Sequence, residues 1–457
     1  MAADKRYKKR KKRSWWPGAF IAVLTVCIGG GLLAAIGVHR MADGKKSAAQ
    51  QSSSTVISNT GKEQDPSIEP TDSQAEDDSA SVPQSTVSPE AENTGKTSEN
   101  SEQDRDAWVE EQLAGMEMKE KVAQLFFVSL DSLTQTENTA TAGDDFKERF
   151  GEYPVGGIVL SDGNIADPDQ LKALTRTAGE QSRETVGINL FIGVEEEGGE
   201  VLKIANKPEF GLKDAGSMTD IGARDDPEAA YQAGEYIGSY LSEYGINVDF
   251  APVADVIYNN PNSVVNGRAF GKDPYLVSDM VTKEVEGLLN SNVSAVLKHF
   301  PGHGSTEGDP SEGDAVSYST LTELESSDYM PFRKGIEAGA DFVMVGHIIM
   351  KNVNQSQEPA SLSSYFMTDI LKNEWGYEGI VITDDLSMAA IRNHYSPSDA
   401  AAAAINAGAD MIFITSDFGE AFDGVMNAVN EGAISSERID ESVRRILRIK
   451  YMRQSNG

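Results

Sequence analysis

The chain has 457 residues, a formal net charge of -32 and a single cysteine. Its length suits two or three average domains, or one large barrel with attached segments. The negative charge argues against a nucleic acid partner, because phosphate neutralisation needs clustered Lys and Arg, and one cysteine excludes an internal disulfide framework.

The N-terminal residues have the pattern of a membrane signal anchor. Residues 1–16 are basic, with eight of the 40 Lys and Arg residues falling between Lys5 and Arg13. The apolar run 17–38 is long enough to span a bilayer, and the basic flank places the N-terminus in the cytoplasm. A cleaved signal peptide is the alternative, but no small-residue cleavage site follows cleanly. We predict a single-pass protein of the cell membrane with an extracellular body.

Residues 39–105 are rich in Ser, Thr and acidic side chains and hold almost no aromatic or large aliphatic residues. Such a segment cannot bury enough apolar surface to offset its loss of conformational entropy on ordering. The sequence therefore predicts a disordered acidic linker, followed by one folded body over residues 106–453.

Within the body, short apolar runs alternate with amphipathic helical stretches. The eight runs are Leu125–Leu130, Val155–Leu160, Leu190–Val194, Val248–Val253, Ala295–Leu297, Phe342–Val345, Gly379–Ile382 and Met411–Ile414. Eight such repeats predict an α/β fold, a TIM-type (β/α)8 barrel. A doubly wound open sheet is the alternative, but no Gly-x-Gly-x-x-Gly follows the first strand.

Polar residues stand where several predicted strands end, and a barrel brings those ends together at one mouth. They are Glu195, Glu196, Glu197, Asp249, Asp255, Lys298, His299, His347, Asp384 and Asp385. Carboxylates beside cations fit glycosidic cleavage, in which one carboxylate attacks the sugar and a second group donates a proton. Metal-dependent hydrolysis stays open, although no His-x-His or Glu-x-x-His pattern supports it.

Four motifs carry a family resemblance. They are Lys-His-Phe-Pro-Gly-His-Gly at 298–304, Asp-Phe-Ala-Pro-Val-Ala-Asp at 249–255, Asn-Gly-Arg-Ala-Phe-Gly at 266–271 and Val-Ile-Thr-Asp-Asp-Leu-Ser-Met at 381–388. Together they resemble glycoside hydrolase family 3, in its single-domain β-N-acetylglucosaminidase (β-N-acetylhexosaminidase) branch, over about residues 108–453. That family folds as a TIM-type barrel, in agreement with the eight runs.

The resemblance implies roles for individual residues. It makes Asp384 the nucleophile of a retaining glycosidase, although a helix N-cap is the alternative role for an aspartate there. Arg268, Lys298 and His299 would hold the sugar hydroxyls and the N-acetyl group. The implied substrate is a GlcNAc-containing cell-wall glycan or muropeptide, and the family chemistry requires no metal or organic cofactor.

The sequence departs from the family pattern at the general acid/base. The family places a histidine twelve residues beyond His299 and an orienting aspartate two residues earlier. Here Asp309 is in place, but Ser311 occupies the histidine position. A serine hydroxyl has no useful acidity near neutral pH, so it cannot replace imidazole in proton transfer.

The sugar-binding segment after the third strand also differs. Glu195 stands where the family has an aspartate, Glu200 replaces an arginine, and Lys203 replaces a sugar-contacting arginine. Lysine cannot reproduce the bidentate contact of a guanidinium group. We still expect Glu195 and Lys203 to contact the substrate.

Three hypotheses follow. The chain is a retaining β-N-acetylglucosaminidase in which Glu312, Glu307 or Asp309 supplies the proton. Alternatively, it is a hydrolase impaired at leaving-group protonation, or a glycan-binding cell-surface protein on an inherited enzyme fold. With one anchor and no sign of a partner protein, we expect a monomer.

Overall fold

The computed structural model describes residues 93–258, 264–353 and 357–454, with side chains from Glu102 onward. The predicted basic segment 1–16, the predicted anchor 17–38 and most of the predicted linker lie outside the described residues. Among the helices that are described, none has the length and apolar character needed to cross a membrane.

Eight parallel strands form the central sheet, and each coincides with one of the predicted apolar runs. They are β1 (Phe126–Ser129), β2 (Gly157–Val159), β3 (Phe191–Val194), β4 (Val248–Asp249), β5 (Ser294–Phe300), β7 (Phe342–Val345), β9 (Ile380–Thr383) and β10 (Ile412–Ile414). Their order is β10-β1-β2-β3-β4-β5-β7-β9, and a parallel bridge between Ile382 and Met411 brings β9 beside β10. The result is a nearly closed barrel of the TIM type.

Helices surround this barrel, which explains why the strands are apolar on both faces. The α-helices are α1 (Asn93–Gly115), α2 (Met118–Gln124), α3 (Leu130–Thr134), α4 (Asp144–Glu152), α5 (Pro168–Val186), α6 (Met218–Gly222), α7 (Pro227–Glu243), α8 (Pro274–Asn290), α9 (Leu321–Ser326), α10 (Tyr329–Glu337), α11 (Ala389–Arg392), α12 (Pro397–Ala407), α13 (Phe418–Asn430) and α14 (Ser436–Gln454). A π-helical stretch covers Tyr365–Glu374. Prolines at the first turns of α5, α7, α8 and α12 suit positions that need no backbone N–H donor.

Aromatic rings fill the barrel interior. The Phe250 ring lies 5.1 Å from that of Phe127 and 5.0 Å from that of Phe413. Gly157 and Gly193 make room for them, since a Cβ atom at either position would lie 2.7 or 2.8 Å from the Phe127 ring. Because this layer is packed solid, polar chemistry is confined to the strand ends.

A two-stranded parallel ribbon was not predicted from the sequence. Strand β6 (Ala315–Thr320) pairs with β8 (Ile348–Asn352), starting from Ala315 opposite Ile348. The chain enters β6 from the loop after β5, and it enters β8 directly after β7. The ribbon therefore extends the barrel wall on the side of its C-terminal mouth.

Helix α1 begins at Asn93, inside the segment predicted as linker, and ends beyond the predicted start of the body. Its later turns pack on α14 in antiparallel direction: Asp106 lies 3.7 Å from Arg448, and Glu110 lies 2.6 Å from Arg444. Val109 on the same helix is buried. Because these turns are packed on α14, the helix can extend upstream of them, since adding residues to a formed helix needs no new nucleation.

Candidate active site

A buried cluster of charges joins the ends of β3 and β5. The carboxylate of Glu197 accepts hydrogen bonds from Arg268 Nε at 2.7 Å and Arg268 Nη2 at 2.6 Å, and it lies 2.6 Å from Lys298 Nζ. The side chains of Glu197 and Lys298 are each 1% exposed. One carboxylate thus holds two of the three cations, Arg268 and Lys298, that the sequence assigned to sugar binding.

These contacts fix the charge states of the cluster. Burial raises the pKa of Glu197, but Lys298 and Arg268 outweigh it and lower that pKa to about 2. Burial lowers the pKa of Lys298, but Glu197 and Glu195 outweigh it and raise that pKa above its usual value. The cluster therefore remains ionised over the whole range in which the protein would work.

Glu195 and Lys203 lie at the outer edge of the same cluster. Glu195 Oε1 is 3.6 Å from Lys298 Nζ, and Glu195 Oε2 is 4.0 Å from Lys203 Nζ. Their side chains are partly exposed, in contrast to those of Glu197 and Lys298. Both therefore retain polar atoms that a bound sugar could reach.

Glu196, which lies between Glu195 and Glu197 in the sequence, has a structural role. It accepts hydrogen bonds from the backbone N–H groups of Lys203, Ile204 and Ala205 and from the hydroxyl of Tyr240. Because its carboxylate accepts four hydrogen bonds, the fully buried Glu196 holds the segment that carries Lys203 in place. Its own backbone N–H donates to Asp249 on β4.

His299 is held by Asp255, which follows β4. His299 Nδ1 lies 2.8 Å from Asp255 Oδ2, and the backbone N–H of His303 donates to Asp255 Oδ1 at 2.6 Å. Burial raises the pKa of Asp255, but His299 and His303 outweigh it and keep it below its usual value. Asp255 therefore fixes the orientation of the His299 ring.

Asp384 lies at the end of β9, buried and within the electrostatic reach of this cluster. Burial raises its pKa, but His347, His299, the backbone N–H of Asp385 and then Lys298 outweigh it, so the pKa falls below its usual value. The Asp385 N–H donates to Asp384 Oδ1 at 2.8 Å. Asp384 is therefore an ionised carboxylate in a largely dehydrated position, as a nucleophile requires.

Asp385 and His347, next to Asp384, are held by hydrogen bonds to the surrounding chain. The carboxylate of Asp385 accepts hydrogen bonds from the backbone N–H groups of Ser387 and Thr415. The Asp385 carbonyl accepts from His347 Nε2 at 2.8 Å, while His347 Nδ1 lies 2.7 Å from the Ser361 hydroxyl. His347 is thus engaged at both nitrogens.

The loop after β5 places its residues differently. Asp309 Oδ1 accepts hydrogen bonds from both the backbone N–H and the hydroxyl of Ser311, at 2.8 and 2.7 Å. Ser311 and Glu312 are exposed. Asp309, which the sequence predicts to orient a catalytic histidine, is thus engaged by Ser311, the residue predicted to stand at the position of that histidine.

The structure therefore separates the predicted residues into two groups. Five of them lie together at the mouth of the barrel: Glu195, Lys203, Arg268, Lys298 and His299. Charges at this mouth also help to lower the pKa of Asp384. Asp309 and Glu312 lie on the exposed loop, and their catalytic roles stay predictions. In the part of the chain that is described, no group of three or more His, Cys, Asp or Glu side chains is arranged to hold a metal ion.

Sequence reasoning gave no role to Glu197 or His394. Burying two cations requires a buried counter-charge, and this requirement could have singled out one of the three consecutive glutamates. His394, just beyond α11, lies 2.7 Å through Nε2 from Asp314 Oδ1 in the loop after β5. No short motif links these two residues, so the sequence held no signal for that contact.

Comparisons with known proteins agree with this geometry. Residues 117–449 match the Glycosyl hydrolase family 3 N terminal domain. A β-hexosaminidase of Nitrosomonas eutropha is 33% identical over 269 residues, covering 58% of this chain and 74% of that protein. β-Hexosaminidase A of Pseudoalteromonas piscicida is 31% identical over 336 residues. The match covers 68% of this chain but only 55% of that longer protein.

A solved structure is similar as well. The family 3 β-N-acetylglucosaminidase of Paenibacillus sp. str. FPU-7 superposes with a TM-score of 0.70 and 36% identity, covering 75% of this chain and 64% of that one. The family match runs from before β1 to within α14 and so includes the whole barrel. The chain belongs to glycosyl hydrolase family 3.

Proposed function

We propose that the protein is a retaining β-N-acetylhexosaminidase that removes terminal β-linked GlcNAc from cell-wall glycan or muropeptide. The observation that carries this proposal is the buried Asp384 at the end of β9, at the same barrel mouth as Lys298 and His299. Burial raises its pKa, but His347, His299 and Lys298 outweigh burial and hold that pKa below its usual value. The names of the relatives from Nitrosomonas and Paenibacillus support the substrate class.

In the first step, a carboxylate oxygen of Asp384 attacks C1 of the sugar and the bond from C1 to the leaving oxygen breaks. The bonding electron pair stays on the leaving oxygen, which takes a proton from an acid. In the second step, water attacks C1, gives its proton to the conjugate base and releases Asp384. The cations and imidazoles at the mouth orient the sugar for both steps.

Glu312 is the loop residue best suited to supply the proton. Asp309 already accepts two hydrogen bonds from Ser311. The backbone of Glu307 pairs with Val316, 2.8 and 2.9 Å apart, so that residue lies at the base of the loop. Glu312 stands exposed at the tip, and carboxylic acids perform this role in most glycosidases.

A second candidate is a glycan-binding protein without turnover. It is favoured by the hydrogen bonds between Ser311 and Asp309, which leave the family's acid/base position with no imidazole. In this alternative the charged mouth would still bind sugar. For either candidate, the N-terminal sequence pattern supports attachment of a monomer to the cell membrane, with the barrel outside.

The test uses the full-length protein in detergent with two substrates. One is an aryl β-N-acetylglucosaminide with a good leaving group, and the other is an unactivated GlcNAc disaccharide. Turnover of both supports a hydrolase with a working acid, while turnover of the aryl substrate alone indicates a nucleophile without its acid. Turnover of neither, together with saturable GlcNAc binding, would replace the hydrolase by the binding protein.

A further inference from the structure

The loop after β5 is attached to the segment that follows the nucleophile. The backbone N–H of Ala390, at the start of α11, donates to the Pro310 carbonyl at 2.9 Å. His394 Nε2, just after α11, lies 2.7 Å from Asp314 Oδ1. These two contacts lie on either side of Glu312.

The tip of the loop is a compact turn whose hydrogen bonds are accepted by Asp309. The backbone N–H groups of Glu312 and Gly313 both donate to the Asp309 carbonyl at 3.0 Å, and that of Ser311 donates to the Asp309 side chain. At the base, Gly308 has a φ of 92°, and a Cβ atom there would lie 2.4 Å from the Asp314 carbonyl. The tip therefore moves largely as one unit.

The base of the turn is held by the backbone bonds between Glu307 and Val316, and its tip is held against the α11 segment by the two contacts just described. One attachment is a backbone bond that no side chain controls. The other joins two side chains, His394 and Asp314, each about half exposed. No further hydrogen bond of His394's side chain is found in the described ranges, so the ring has no visible role other than this contact.

We propose that His394 is a positioning residue, whose contact with Asp314 holds the Glu312 turn in place relative to the strand end that carries Asp384. This inference rests on the proposed function, because it assigns Glu312 to proton transfer. An exposed pair of this kind changes an equilibrium by only about two- to five-fold. The expected effect is therefore a modest loss restricted to steps that need the proton.

The experiment compares matched variants of the full-length protein on the two substrates described above. His394→Leu and Asp314→Ala remove the contact. His394→Gln keeps an N–H donor, and Asp314→Asn keeps an acceptor oxygen. We expect each disruptive variant to lower kcat/KM on the disaccharide by about two- to five-fold and to leave kcat/KM on the aryl substrate nearly unchanged. The ratio kcat/KM reports the first step, in which only the disaccharide needs the proton.

Two features separate positioning from a general loss of structure. The double variant His394→Leu/Asp314→Ala should be no worse than either single variant, because both remove the same contact. His394→Gln and Asp314→Asn should restore most of the disaccharide activity. Additive losses, or equal losses of kcat/KM on both substrates, would overturn the inference.

One more outcome would also overturn it. If His394→Gln is as damaging as His394→Leu on the disaccharide, the imidazole itself handles the proton and positioning is wrong. These results differ from failure of the proposed function, in which the unsubstituted protein turns over neither substrate. In that event the inference fails together with the function on which it rests.

Discussion

The two halves of the candidate active site are built in different ways. The half that would hold and attack the sugar lies on strand ends, where Glu197 and Lys298 are buried and each charge has a partner. The half that would protonate the leaving group lies on a loop, where Ser311 and Glu312 are exposed. The residues proposed to bind sugar are thus fixed by the strand ends of the barrel, while the proposed proton donor lies on an exposed loop.

The strongest test of this comparison is removal of the nucleophile. Asp384→Asn should lower kcat on both substrates by about 10⁴-fold or more, because an amide cannot form the glycosyl-enzyme. The measurement is steady-state kinetics, with mass spectrometry to detect the covalent intermediate in the unsubstituted protein. Full turnover in the variant would remove Asp384 from this role.

The second test concerns stability within the buried half. Glu197→Gln should lower the free energy of unfolding by about 3–5 kcal/mol, because it leaves Lys298 and Arg268 buried without their shared carboxylate. Glu195→Gln, at a partly exposed position in the same cluster, is the matched control and should cost about 1 kcal/mol or less. Denaturant unfolding measures both, and equal losses would contradict the contrast in burial.

The third test concerns the loop. Glu312→Gln should lower kcat/KM on the disaccharide by about 10²- to 10³-fold, because no proton reaches the leaving oxygen. The aryl substrate should lose less in its first step, and the covalent intermediate should accumulate. Unfolding should be unchanged, since Glu312 is exposed. Glu307→Gln, at the base of the same loop, is the control, and the reverse pattern would move the acid to Glu307.

A fourth test uses pH to probe the layer behind the cluster. Burial and then the charge of Glu197 raise the pKa of Glu284, on α8, to about 8. A raised carboxyl pKa stabilises the folded protein below about pH 4.5 and loses that contribution as the pH rises towards 8. Glu284→Gln should therefore flatten the decline in unfolding free energy over this window, by a few kcal/mol. An unchanged pH profile would show that Glu284 does not titrate there.

The acidic limb of the same profile has the opposite sign. The pKa of Glu197 is depressed to about 2, so its contribution is present above about pH 4.5 and is lost as the pH falls towards 2. The decline at low pH should therefore persist in Glu284→Gln and be smaller in Glu197→Gln. This outcome would assign the decline at low pH to Glu197 and the decline towards pH 8 to Glu284.

The sequence predicted the barrel because its strands are short, continuous apolar runs that few other folds would bury. Ribbon strands β6 and β8 were missed because β6 is short, rich in Ser and Thr and directly follows a polar loop, and β8 follows β7 with almost no break. The motif residues Lys298, His299 and Asp384 were found for the same reason as the barrel, since they end recognised strands. Their partners Glu197 and Asp255 required knowledge of which carboxylates face inward.

The loop was the least predictable region. That Asp314 would meet His394 depends on how a turn folds back onto a segment 80 residues away, whereas the hydrogen bond of Ser311 to Asp309 is formed inside the turn, between residues two apart. Neither contact leaves a periodic or compositional pattern. Charge and hydrophobicity predict layers of a fold, whereas contacts between two loops depend on the final packing.

The pairing of α1 with α14 has a mechanical consequence. The chain enters the barrel through α1, which is fastened to α14 by Glu110 with Arg444 and by the ring of Trp108, 5.3 Å from that of Tyr451. A pulling force applied upstream of Asn93 would load these contacts before it reached β1. In a protein held from its N-terminal side, as we propose, the helix pair would take up the tension first, so that the strand ends proposed to bind sugar would not be distorted.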